Sequence, residues 1–405
     1  MIKEKFPDNF IFGTATSAFQ IEGEGKTEWT GFIGADGTPL GKAIDHYARY
    51  AKDLEYILYL GNAYRFSPDW SKLQEGPFLE LNPVAVRHYM KIFRTLKDNG
   101  KKVLVVFNHF ANPLWFFKTG GWTKRSSVDY FFDFVKKMLI VFSDYTDIIN
   151  TFNEPNAYIN LAYMIGQFPP KKFNPVLRRN ALSNMAEAHG LIYDYMKEKY
   201  PEIPVGISHA NMLFEHKDKK SLSGLIIKKF FDIIMNENIH EYFTKYASKV
   251  DYIGFSYYGR ILFERFPLAA YEEKGRKRLD ELGIKHDDMW ELYPEGIYRM
   301  LKFFYEKYKK PLIVTENGTC TDDDELRKQN LYNHLRYVKK ACDDGLPVLG
   351  YFHWSTFDNF ELAHGPSRRF GLTSVDFKSP GLERKIKPSG HYYHKITESN
   401  SLIEP

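Results

Sequence analysis

Two glutamates in this chain stand where acid–base chemistry could be done. Glu154 closes the apolar run in "IINTFNEPNAY" (148–158) and is followed at once by Pro155; Glu316 closes the run in "KKPLIVTENGT" (309–319) and is followed by Asn317 and Gly318. Two carboxyl groups sharing a dry site drive their pKa values apart. One stays protonated and can give a proton to a leaving oxygen, while the other stays ionised and can attack or stabilise a cationic carbon. Other polar groups fall at the ends of apolar runs: Gln20, Arg65, Asn108 and His109, Asn153, Tyr257 and Tyr258, Trp354, and Glu361 just beyond. An arginine beside Glu316 would hold it charged, and a tyrosine hydroxyl would orient it. Gln20, His109, Asn153 and Glu361 can exchange hydrogen bonds with hydroxyl groups, and Trp354 offers a flat apolar face. These are the parts needed to break a glycosidic bond. Taken singly, each has an ordinary use: a solvated loop carboxylate, a salt-bridged arginine, a hydrogen-bonded histidine, a packed indole. Their shared position at strand ends separates the two readings.

That position depends on the architecture. Eight short apolar runs recur along the chain: "NFIFGTA", "NAYRFS", "KVLVVFNH", "DIINTFNE", "IPVGISH", "VDYIGFSYY", "PLIVTEN" and "VLGYFHW". Their length and their Val, Ile, Phe and Tyr content fit buried parallel strands. Helical patterns lie between them. Asn82 and Pro83 make a cap and a first-turn proline, with Val86, Tyr89, Met90, Phe93 and Leu96 as the apolar stripe; Leu331, Leu335, Val338 and Cys342 repeat the pattern near the end. The alternation predicts an α/β fold, a single (β/α)₈ barrel over 1–405 with loop insertions at the C-terminal face of the strands, where such barrels carry their chemistry. Gly259 to Met289 is the longest irregular stretch and is expected to cover the mouth. Pro155 is expected to keep Glu154 out of helical geometry. An open doubly wound sheet would place a glycine-rich phosphate loop after its first strand, and "GTATSAFQIEGEG" has no Gly-x-Gly-x-x-Gly spacing.

Composition narrows the class. With 405 residues, 43% of them hydrophobic, the chain can bury a large core without disulfide staples. The net charge is +5, but basic clusters such as "KDKK" (217–220) and "GRKR" (275–278) are short and mixed with acids, so a solvated surface is expected and nucleic acid is not. Cys320 and Cys342 have no metal-ligand spacing and suit a reducing compartment. The N-terminus lacks the apolar core of a signal peptide, and no run of about 20 apolar residues could span a membrane, so a cytoplasmic location is expected. The abundance of Lys and Glu hints at a hot environment.

Five ordered segments together resemble glycoside hydrolase family 1, the β-glucosidase family, over nearly the whole chain: "FIFGTATSAFQIEG", "AYRFSPDW", "TFNEP", "VTENG" and "GYFHWSTFDNFELAHGPSRRFGLTSVDF". The resemblance implies a retaining, exo-acting β-glycosidase that forms a glycosyl-enzyme intermediate without metal or cofactor. Its partners would be small β-glycosides or oligosaccharides, with homo-oligomerisation left open. Carried over by motif, Glu154 would be the acid/base and Glu316 the nucleophile. Asn153 would bind the sugar 2-hydroxyl, and Gln20, His109 and Glu361 the other hydroxyls. Trp354 would floor the site, and Arg65 and Tyr258 would support Glu316. Phe110, Ser256 and Leu362 depart from the usual Trp, Asn and Trp of the family, which bears on sugar choice more than on reaction. Glu361 argues against the phosphosugar branch, while Arg368 and Arg369 keep a 6-phospho substrate in view. Transglycosylation is the alternative within the same chemistry. A non-catalytic sugar-binding barrel would most simply lack a glutamate, and both are present. An aldolase or dehydrogenase barrel finds no suitably placed lysine or dinucleotide loop.

Overall fold

The computed structural model describes residues 4–23, 25–232, 247–263, 267–268 and 273–405. Eight parallel strands form its centre: β1 (Ile11–Ala15), β2 (Ala63–Phe66), β3 (Lys102–Asn108), β4 (Ile148–Asn153), β5 (Val205–His216), β6 (Tyr252–Phe263), β7 (Leu312–Asn317) and β8 (Val348–Trp354). Each pairs in parallel with its neighbour, β8 pairs with β1, and β5 pairs with β6, so the sheet closes into a barrel. Helices α1 (His46–Leu60), α2 (Pro83–Asp98), α3 (Ser126–Phe142), α4 (Pro175–Lys199), α5 (Leu222–Phe231), α6 (Glu295–Tyr308), α7 (Asp324–Asp343) and α8 (Pro388–Ser399) alternate with the strands. This is the expected (β/α)₈ architecture.

The strands are buried on both faces, as apolar runs such as "VLVVF" in β3 require. Inside the barrel, Leu104, Val106, Ile313 and Phe352 share one apolar cluster, while larger clusters fill the space under the helices. The helix starts are written in the sequence. Asn82 Oδ1 accepts from the Val84 and Ala85 amides at 2.9 and 3.4 Å, with Pro83 in the first turn of α2. Asn174 caps α4 and Asp323 caps α7 in the same way; each such cap contributes about 1 kcal/mol. The expected stripe on α2 is rotated slightly. Tyr89, Phe93 and Leu96 are buried with Ala85 and Ile92, whereas Val86 and Met90 are half-buried at its edge.

Pro155 starts a short helix, Pro155–Asn160, because a proline fits the first helical position, where its missing N–H is not needed. The expectation for Glu154 itself holds: its backbone is left-handed, with φ 42°. Two sequence expectations need correction. Within 259–289, β6 continues to Phe263 and a helix spans Glu273–Glu281, so the stretch is not simply a loop; residues 264–266 and 269–272 lie outside the described residues. Finally, β5 and β6 run well past the ends expected from their apolar cores, to His216 and Phe263.

Candidate active site

The polar strand ends converge at the C-terminal face. Arg65, the penultimate residue of β2, is fully buried and points one nitrogen at Glu316 Oε1 (2.6 Å) and the other at Asn153 Oδ1 (2.5 Å). Tyr258 donates its hydroxyl to the second oxygen, Glu316 Oε2, at 3.0 Å. Glu316 is therefore gripped at both oxygens, by a guanidinium and by a phenol. Asn153 in turn donates to His109 Nε2 at 2.9 Å, and His109 Nε2 lies 3.7 Å from Glu316 Oε1. A buried arginine must be paired, and removing one partner of such a pair costs about 3–5 kcal/mol.

On the β8 and β1 side, Glu361 Oε2 accepts from Trp354 Nε1 and from Gln20 Nε2, both at 3.3 Å. Gln20 lies not at the end of β1 but in the short helix Ala18–Glu22 that follows it. The Trp354 and His109 rings face each other at 5.6 Å, joining this half to the Arg65–Asn153 half. Among the buried polar atoms here, Gln20 Oε1 and His109 Nδ1 find no hydrogen-bond partner among the described residues, an arrangement that buried polar groups seldom tolerate unless something else satisfies them.

The motifs explain themselves locally. In "TENG", Asn317 donates to the Tyr257 carbonyl at 2.5 Å and accepts from Tyr351 at 2.7 Å, so it ties β6, β7 and β8 together beneath Glu316. Gly318 is required because a Cβ there would stand 1.9 Å from the Trp354 carbonyl oxygen. In "NEP", the Glu154 amide donates to the Ser208 carbonyl at 2.8 Å, which fixes the strand exit. Glu154, Phe110 and Leu362 all have positive φ (42°, 64° and 46°). Such conformations are uncommon for residues with side chains and cluster at functional sites.

Electrostatics separate the carboxyls. Burial, and then the charge of Glu316, push Glu154 up to about 8, against the pull of the Ser256 hydroxyl and then of Arg65. Burial also raises Glu316, but Arg65, Tyr258 and Asn153 all pull it down. The proton shared by this coupled pair therefore resides on Glu154, and Glu316 carries the charge. Glu361 is pushed up to about 8 by burial, against the hydrogen bonds from Trp354 and Gln20. Burial and the nearby Arg65 hold His109 well below its usual range, so its ring is neutral.

Of the strand-end residues picked from sequence, Gln20, Arg65, His109, Asn153, Tyr258, Glu316, Trp354 and Glu361 form one connected cluster, and Glu154 is coupled to it through Glu316. Tyr257 and Asn108 do not join it. Successive strand residues face opposite ways; Tyr257 lies in the outer apolar cluster and donates to the Tyr293 carbonyl at 2.8 Å. Asn108 turns to Asn112 at 2.9 Å. Arg369 contacts Asp358 at 3.6 Å and donates to the Val375 carbonyl at 3.1 Å.

Several members escaped the sequence reading. Ser208, Asn150 and Thr315 form a hydroxyl–amide chain under Arg65, with Asn150 donating to Ser208 at 2.5 Å and Ser208 donating to Thr315 at 2.7 Å. Asn359 accepts from Gln20 at 3.2 Å, and Trp290 stacks on Tyr258 at 6.4 Å. The "DNFE" spacing of Asn359 and Glu361, and the blank left at the end of the fifth strand, were the available signals.

The profile of glycosyl hydrolase family 1 matches residues 2–245 and 233–402. β-Glucosidase A of Thermotoga maritima is 29% identical over 447 residues, covering 98% of this chain and 99% of that protein. A chloroplastic galactolipid galactosyltransferase of Arabidopsis thaliana is 32% identical over 385 residues, covering 88% of this chain and 57% of that protein. A β-glycosidase structure from Pyrococcus horikoshii superposes with a TM-score of 0.87 at 30% identity, covering 100% and 97% of the two chains. Among the described residues, no helix is long and apolar enough to cross a membrane.

Proposed function

The chain belongs to glycosyl hydrolase family 1 and is a glycoside hydrolase acting on O-glycosyl bonds, and from that premise we propose a retaining, exo-acting β-glycosidase whose whole length works as one catalytic unit. The observation that carries this reading is the unequal treatment of two buried glutamates: Glu316 is held by Arg65 and Tyr258, while Glu154 is pushed up to about 8. In the first step Glu154 gives its proton to the leaving oxygen as Glu316 attacks the anomeric carbon. In the second, Glu154 takes a proton from water, which displaces Glu316 and restores the original configuration. Asn153, His109, Gln20 and Glu361 hold the sugar hydroxyls, and Trp354 lies under the ring. The unpartnered Gln20 Oε1 and His109 Nδ1 support that assignment, because sugar hydroxyls would satisfy both. The direct test is hydrolysis of a panel of aryl β-glycosides, with the configuration of the first product followed by NMR. Initial release of the α-anomer would reject retention.

The carboxyl charges set a pH expectation. Glu154 must be protonated in the first step, so its working form is lost as pH rises through about 8. The value of kcat/KM for a substrate with a poor leaving group should fall on that alkaline side. The same limb should disappear in Glu154→Gln assayed on an activated aryl glycoside, which needs no proton. A limb that persists unchanged in that variant would place the ionisation elsewhere, Glu361 being the other carboxyl raised to about 8.

Sugar choice gives a further expectation. Leu362, packed in the apolar cluster on the β1–β4 side, offers no ring N–H to a sugar hydroxyl. One neutral hydrogen bond contributes about 0.5–1.5 kcal/mol, so its absence weakens discrimination between epimers without abolishing binding. Specificity constants for the β-glucoside and β-galactoside should lie within roughly a hundredfold, about 2.7 kcal/mol of transition-state discrimination. Leu362→Trp should widen the gap, provided its thermal unfolding shows a folded protein. A several-thousandfold natural preference, or an unchanged ratio in the folded variant, would reject the idea.

Transglycosylation is the second reading. The 32% identity to a galactosyltransferase favours it, and the same glycosyl-enzyme intermediate would pass its sugar to an alcohol instead of water. Product analysis with added acceptor separates the two outcomes.

A further inference from the structure

β4 pairs with β5 only as far as Asn153–Ser208, and β7 pairs with β6 only as far as Ser256–Glu316. Beyond those points β5 and β6 continue together, with Leu213 opposite Arg260 and His216 opposite Phe263. A two-stranded ribbon therefore continues from the C-terminal face of the barrel beyond the ends of the neighbouring strands. Its base is pinned by Arg260, which reaches Glu291 at 2.5 Å and Glu215 at 2.5 Å, and by Arg299, which reaches Glu215 at 2.7 Å.

Helix α5 lies on this ribbon. Its inner side is closely fitted: the Phe231 and Phe214 rings stack at 5.1 Å, Ile227 joins the same cluster, and Gly224 leaves room for the His216 ring. Its outer side is also apolar. Leu222, Leu225, Ile226 and Phe230 are 74, 51, 65 and 58% exposed, spaced so that they share one face. Lys229 is the one charged residue among them, so most of this exposed face is apolar, where a surface helix ordinarily shows a polar one. Lysines accompany the stripe: Lys217, Lys219 and Lys220 before the helix, with Asp218 among them, Lys229 on the outer face itself, and Lys228, which is ion-paired to Asp232 at 2.5 Å.

The geometry points to a docking surface for an anionic lipid bilayer, with the outer face of α5 entering the headgroup layer and the lysines meeting its charge. An apolar face rimmed by lysine is the pattern of helices that lie in such an interface. A protein surface would satisfy the apolar stripe equally well, but it gives no general reason for a lysine cluster before the helix and a lysine on its outer face. Docked in this way, the ribbon would bring the mouth of the barrel to the membrane surface, within reach of glycosides whose aglycone is embedded in the bilayer. That consequence rests on the glycosidase reading; the docking itself does not.

The test is co-sedimentation of the intact protein with vesicles of phosphatidylcholine, with or without phosphatidylglycerol. Binding is expected to the anionic vesicles, to be weaker for neutral ones and at high salt, and to fall at least tenfold in the pair Ile226→Asp, Phe230→Asp. A second pair, Lys219→Glu and Lys220→Glu, should weaken binding to anionic vesicles alone. Both variants should keep the parent's turnover of a water-soluble aryl β-glycoside and its thermal unfolding. Failure to bind anionic vesicles, or binding that neither pair weakens, overturns the proposal. So does a dimer that the apolar-face pair converts to monomer, because the stripe would then face a second copy of the chain. If the parent binds vesicles but hydrolyses no glycoside, docking stands and the glycosidase reading falls.

Discussion

Glu316→Ala is expected to lower turnover of even an activated β-glycoside by about four orders of magnitude or more, at least ~5 kcal/mol of transition-state stabilisation. Two contributions vanish together. The alanine cannot form the covalent intermediate, and the developing positive charge on the sugar loses the carboxylate that faces it. The loss should exceed what a structural change explains, because Arg65 retains its second partner, Asn153, at 2.5 Å. The variant should therefore stay folded, with Arg65 left facing a gap that a small carboxylate can enter. Formate added with an activated aryl β-glycoside should restore part of the turnover, because it can attack the anomeric carbon from the face Glu316 occupied as the aryl group leaves. Near wild-type activity in a folded Glu316→Ala protein would remove this residue from the nucleophile role.

The second large effect belongs to Glu154. Glu154→Ala should reduce kcat/KM steeply for substrates whose leaving group needs a proton and only modestly for activated aryl glycosides. With activated substrates the intermediate should accumulate, since no base remains to draw a proton from water. Azide attacks without a base, so it should raise turnover and yield the β-glycosyl azide. The asymmetry follows from the site: Glu154 contributes a proton, and its carboxyl makes no bond to Arg65 that its loss would break, since both Arg65 hydrogen bonds into the carboxylate cluster go to Glu316 and Asn153. Equal loss on both substrate types with no azide product would move the acid/base role to another group, Glu361 first among them.

Much of this site was legible in the sequence because buried parallel strands read as apolar runs, and a polar residue ending such a run has few places to point except the barrel mouth. Glu316, Arg65, His109, Asn153 and Trp354 were all found in that way. The less legible features share a physical cause. Ser208 and Asn359 act through partners 143 and 339 residues away in sequence, Arg65 and Gln20, and neither a serine inside a strand nor an asparagine in a loop announces such a contact. Tyr257 and Tyr258 looked equivalent because the face each one takes depends on register, which adjacent positions cannot reveal. That Pro155 also starts a helix was not legible, because a proline that starts a helix and one that forbids it look alike until the fold beyond is known. The β5–β6 ribbon was hidden because Asn211 and Arg260 interrupt the apolar pattern just where the strands leave the barrel; the pairing of Phe214 with Ile261 restores it several residues later.

The central claim, that Glu316 attacks the anomeric carbon, is tested most directly by trapping the intermediate. An activated 2-deoxy-2-fluoro-β-glycoside slows the second step more than the first, so the sugar should stay on the enzyme. Peptide mass mapping should then find one added sugar, on the peptide containing Glu316, with activity recovering as the ester turns over. Inactivation with the label on any other residue, or unimpeded turnover with no covalent adduct, would contradict the account.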